Sequence, residues 1–108
     1  MASAVLSPRK SINPPSPDFP LFKLGQVVAT PSAIDLLRSL ALSPLIFLCR
    51  HSQGDWGNLD EEDRQANREA LKNGNRLLSS YQLTRNDRLW IITEASRAST
   101  TLLLPQEY

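Results

Sequence analysis

At 108 residues the chain is the size of one ordinary domain, long enough to bury a core and too short for two independent ones. Its 41% hydrophobic and 21% charged residues exclude a wholly disordered chain, and a net charge of +1 excludes attraction to nucleic acid or acidic membranes by bulk charge, so any such contact must come from a local patch. The single cysteine, Cys49, excludes an internal disulfide and suits a cytoplasmic setting.

Five of the eight prolines (Pro8, Pro14, Pro15, Pro17 and Pro20) fall in the first twenty residues among serines. Missing backbone donors and scarce apolar anchors make 1–18 a flexible Pro/Ser-rich tail, either a docking arm carrying Arg9-Lys10 or a dispensable extension. A single α+β domain is expected over 19–108. No basic segment followed by an apolar one opens the chain, so export by a standard signal peptide is not expected. The longest apolar stretch, Leu40–Cys49, is broken by Ser43-Pro44 and falls short of the ~20 residues of a membrane span, so no membrane partner is expected.

Gly25–Ala29 is β-branched enough for a short strand. Thr30-Pro31 then starts a helix: Thr accepts from an orphan N–H at the N-cap, Pro gives up a donor that had no partner, and Ile34, Leu37 and Leu40/Ala41 recur at helical spacing. Ser43-Pro44 repeats the signal for a second helix, Pro44–Arg50, nearly apolar all round and therefore expected to be the most buried, with Cys49 an inert core thiol. In His51–Asn58 two glycines bracket Asp55-Trp56 in a tight loop. A third helix follows, with Asp60 as N-cap, acidic residues suited to its positive end, and Gly74 as its stop. Its inward stripe reads Leu59, Asp63, Ala66/Asn67, Ala70/Leu71, and its outward row Asp60, Arg64, Arg68, Lys72. Three strands close the chain. Arg76–Leu83 places Leu77, Ser79, Tyr81 and Leu83 on one face, Thr84–Asp87 is a turn, Leu89–Thr93 follows, and Thr100–Leu104 comes after the loop Ala95–Ser99. The expected architecture is α+β, in the order β-α-α-α-β-β-β, with helices packed on a C-terminal antiparallel sheet.

The chemistry-bearing residues are few. One His, one Cys and consecutive carboxylates at a helix start offer no metal-ligand spacing, and no phosphate-binding glycine loop or dinucleotide fingerprint is present, so neither metal nor cofactor is assigned. His51 titrates near neutral pH without help and is the natural general acid or base. The same residue at a helix C-terminus also serves simply to satisfy the last carbonyls. Trp56 either stacks on a ligand or anchors its loop in the core. Arg76, Arg85, Arg88 and Arg97, with Glu94 and Thr100, are chemically able to hold a phosphodiester, or else are solvated charges that guard sheet edges. The candidate catalytic set is His51, Glu94, Arg76 and Arg97, and the candidate binding set is Asp55, Trp56, Arg97 and Thr100.

The runs F-L-C-R-H (47–51), G-D-W-G (54–57), N-G-N-R-L-L-S-S-Y (73–81), W-I-I-T-E (90–94) and T-T-L-L-L-P-Q-E-Y (100–108) resemble a family of short bacterial proteins carried on plasmids and other mobile elements, known as plasmid-related proteins. Ser96 stands where that family tends to have an acidic residue. The resemblance implies a setting rather than a mechanism. The first reading is a non-enzymatic accessory protein of a mobile element that binds a host or plasmid macromolecule, nucleic acid among the possibilities, with His51–Asn58 and Thr93–Thr101 as the expected surface. A fainter likeness of element order, to RelE-type and barnase-like ribonucleases, implies the alternative of a small metal-independent ribonuclease.

Overall fold

A computed structural model of the chain describes residues 20–108; the tail read at 1–18, with Arg9-Lys10, lies outside the described residues. The elements run β1 (Gln26–Ala29), α1 (Pro31–Ser39), α2 (Pro44–Ser52), α3 (Glu61–Asn73), β2 (Leu77–Gln82), β3 (Arg88–Thr93) and β4 (Ser99–Leu103), with a short 3₁₀ turn at Pro105–Glu107. This is the α+β order expected from the sequence. Local chemistry sets the helix ends. The Thr30 hydroxyl accepts from Ala33 N at 3.1 Å, Ser43 from Leu45 N at 3.2 Å and Asp60 from Asp63 N at 2.8 Å, with proline opening the first two helices. Gly74 ends α3 at φ +74°, a left-handed conformation that glycine adopts without a Cβ penalty.

The sheet order is β1-β4-β3-β2. The last three strands form the expected antiparallel meander, but β1 also joins, parallel to β4, so the sheet is mixed. Alternation sorts the strands into two faces. Leu77, Ser79 and Tyr81 lie beside Thr93, Ile91 and Leu89, which lie beside Thr100 and Leu102, and Val27 and Ala29 complete that face. Helices α1 and α2 cover it: Ala33, Leu37, Phe47 and Leu48 share a core with Tyr81, Leu89, Ile91 and Leu102. The opposite face carries Leu78 and Ser80, Trp90 and Ile92, Thr101 and Leu103, and Val28.

Two expectations are corrected. Helix α2 is not buried all round: Ile46 is 53% exposed and Cys49 is exposed, because five consecutive apolar residues at 100° intervals cannot all face one sheet. On α3, Asn67 and Ala70 turn inward, while Asp63 and Ala66 are exposed. Arg64, expected to face out, is half-buried and donates to the carbonyls of Leu59 and Gly57 at 3.0 and 2.9 Å. No single helix among the described residues is long and apolar enough to cross a membrane.

The β2 edge is closed residue by residue. Asn67 lies against Leu78 like a neighbouring strand, its amide donating to Leu78 O at 2.6 Å and accepting from Leu78 N at 3.1 Å. Ser80 N donates to Trp56 O at 3.0 Å, Asn58 N donates to Ser80 O, and Gln82 N reaches the Asn58 side chain at 2.9 Å. Gly57 makes this approach possible: its φ is +78° and a Cβ there would collide with Ser80 O. Replacing Asn67 with alanine strips both partners from Leu78 and is expected to cost about 1–3 kcal/mol in urea unfolding. Asn67→Asp, which cannot donate to the carbonyl, should cost at least as much; a loss within error for either would refute the seal.

Candidate functional site

The strongest polar constellation is a hydrogen-bonded chain inside the core. His51, in the last turn of α2, is 0% exposed and projects onto the helix-covered sheet face. Its Nδ1 is 2.6 Å from Ser79 Oγ and its Nε2 2.9 Å from Thr93 Oγ1; Thr93 Oγ1 lies 2.7 Å from Thr100 Oγ1, which donates to Leu24 O at 2.7 Å. The carbonyl can only accept, and that fixes every proton. Thr100 spends its hydrogen on Leu24, Thr93 therefore donates to Thr100, His51 Nε2–H donates to Thr93, and Ser79 donates to Nδ1. The neutral imidazole satisfies the chain completely. Burial pushes the His51 pKa down from 6.5 to about 4.

Aromatic rings pack against the imidazole of this chain. Phe22 and Trp56 each meet the imidazole edge-on, with centroids 5.1 and 5.8 Å away, and they stack on one another at 6.2 Å. The Arg97 guanidinium sits over Phe22 at 5.8 Å. That arginine has φ +63° and donates to the carbonyls of Asn75 (2.6 Å), Glu94 (3.1 Å), Ala95 (3.3 Å) and Ala70 (3.1 Å), tying the β3–β4 turn to the end of α3. From the last turn of α2, Arg50 donates to Asp55 in the following loop at 2.7 and 3.3 Å and lies over the Tyr81 ring, whose hydroxyl donates to Asp55 O at 2.7 Å. The Arg50 guanidinium holds the Asp55 carboxyl below its usual range, and burial raises the Tyr81 phenol.

The residues singled out from sequence thus divide. His51 does meet the Thr93–Thr101 region, through Thr93 and Thr100, but in the interior. Trp56 is buried as a loop anchor and Thr100 as a link in the chain. Glu94 is exposed in the β3–β4 turn. Asp55 is engaged by Arg50, and Arg97 by four carbonyls. Arg76 is on the other side of the sheet: its guanidinium covers the Tyr108 ring at 5.3 Å, and Tyr108 meets Trp90 edge-on at 5.6 Å. His51 and Arg76 are therefore separated by the sheet itself and do not flank one phosphate. Among the described residues no group of three or more His, Cys, Asp or Glu side chains is placed to hold a metal ion.

The face that carries Trp90 was not picked out from sequence. Tyr108 is 64% exposed there, held by a C-terminal turn in which Glu107 accepts from Leu104 N and from the Thr30 hydroxyl, both at 2.8 Å. These two contacts, the backbone one first, keep the Glu107 carboxyl below its usual range. Arg88 lies on the same face, donating to Gln82 at 2.7 and 3.1 Å. Ion pairs among the described residues engage Arg38, Arg50 and Arg68, while Arg76, Arg85 and Arg88 are exposed and outside any of them. Ser80 Oγ and Trp90 Nε1, on residues paired across β2 and β3, are buried with no partner among the described residues.

No family model, curated protein or solved structure matches the chain.

Proposed function

We propose that this protein is a non-catalytic accessory protein of a mobile element that binds single-stranded nucleic acid across the sheet face opposite its helices. The observation that carries the reading is the joining of exposed aromatic surface to uncompensated arginines on that face. Tyr108 and Trp90 offer ring surface on which bases stack without sequence preference, and Arg76, just before β2, and Arg88, on β3 opposite Gln82 at the far end of β2, stand about 20 Å apart at the rise of a strand to follow phosphates. The local patch supplies what the net charge of +1 does not. The mobile-element setting rests on the resemblance of the five sequence runs.

The ribonuclease alternative draws less support, because His51 is sealed in the core with both nitrogens engaged. The test is fluorescence anisotropy with a labelled single-stranded oligonucleotide, DNA and RNA in turn. Binding that weakens as salt rises is expected, with Tyr108→Ala and Arg76→Ala each costing about tenfold in affinity and little in stability. No binding at low salt, or variants that bind like the parent, would reject the reading. RNA cut in the presence of chelator would reinstate the ribonuclease.

A further inference from the structure

The two edges of the sheet are treated differently, and the difference identifies a second surface independent of the nucleic-acid reading. Gln26 N donates to Ala98 O and Thr30 N to Leu102 O, so alternate residues of β1 point their backbone groups at β4. Val27 and Ala29 consequently aim N–H and C=O away from the sheet. Val27 and Val28 are 42% and 41% exposed, and the segment Gln26–Thr30 contains no charge and no proline, the usual guards of an open edge. The opposite edge, β2, is consumed by Asn67, Trp56 and Asn58.

We infer that β1 pairs with β1 of a second copy, antiparallel, about a two-fold axis at Val28. With β2 sealed, one copy's β1 cannot extend another's β2. Edge growth is thereby confined to an isologous pair that closes at two chains rather than a fibre. The register follows from which groups point outward: Val27 opposite Ala29 and Ala29 opposite Val27 exchange four backbone hydrogen bonds, while Val28 faces Val28 in the close, non-hydrogen-bonded position. No like charges are opposed, and Gln26 falls across from Thr30. The axis is perpendicular to the sheet, so the pair makes one eight-stranded sheet with both helix layers on one side and both Trp90 faces on the other. Four-residue strands bury less than the ~1,200 Å² of a standard stable interface, so the dimer is a weak one.

Sedimentation velocity of the full chain across micromolar to millimolar concentrations should show a reversible monomer–dimer equilibrium. Val28→Lys, which sets two ammonium groups against each other, should raise its dissociation constant about tenfold or more, and Val28→Thr should not. In a Cys49→Ser background, Val28→Cys should cross-link across the axis much faster than Ile46→Cys. Should Val28→Lys fail to fold, the cross-linking pair decides. A chain monomeric throughout, a dimer indifferent to Val28→Lys, or equal cross-linking from positions 28 and 46 would overturn the inference.

Discussion

Replacing His51 with leucine is expected to lower the unfolding free energy by about 3–5 kcal/mol. The loss comes from the partners. Ser79 would keep a buried hydroxyl hydrogen with nothing to accept it, at a cost of about 1–3 kcal/mol, and Thr93 would lose the donor that meets its oxygen. The remainder reflects the edge-on contacts with Phe22 and Trp56. Adding Ser79→Ala to His51→Leu should recover about 1–3 kcal/mol, because an apolar pair leaves no orphan. A double-mutant cycle in urea measures both. Additive losses, or a His51→Leu cost below about 1 kcal/mol, would mean that the chain of hydroxyls is not coupled as described.

The second large effect is a dependence of stability on acidity. The unfolded chain takes up a proton on His51 near pH 6.5 and the folded chain only near about 4, so between those values the unfolded state binds more protons. Stability from this group is complete above pH 6.5 and falls as pH drops through the window, by about 3 kcal/mol in all. A charged imidazole also needs Ser79 to accept instead of donate, which leaves the serine hydrogen to find another partner. Unfolding followed at closely spaced pH values should show this decline in the parent and its disappearance in the His51→Leu, Ser79→Ala background. An equal slope in both would assign it to carboxylates such as Asp55, whose depressed pKa acts at lower pH.

Much of the fold was legible because it is written locally. Thr30-Pro31, Ser43-Pro44, Asp60 and Gly74 mark helix ends through contacts within a few residues of themselves, and the alternation Leu77, Ser79, Tyr81 marks the inner face of β2. What was not legible is non-local. Nothing in Gly25–Ala29 names β4 as its parallel partner, and nothing in α3 says that Asn67 will serve as a strand. The apolar run of α2 says that one side is buried without saying which, so Cys49 was placed inward and turned out exposed. The His51 chain left one trace: a serine on the apolar face of β2 must find a partner, and the single histidine is the natural one. Trp90 and Tyr108 gave none, since their meeting depends on how the C-terminus returns to the sheet.

The sheet order β1-β4-β3-β2 also bears on how the protein comes to exist. The last strand in sequence occupies an inner position, between the first and the third. During synthesis the β2–β3 hairpin can pair as soon as it leaves the ribosome, but β1 has nowhere to dock until β4 follows it out. Until β4 is made, Val27 and Val28 belong to an unpaired strand, and the His51–Thr93–Thr100–Leu24 chain cannot close. A chain stopped before residue 99 should therefore remain open to proteolysis whatever helices it has formed, because the sheet cannot be completed without β4.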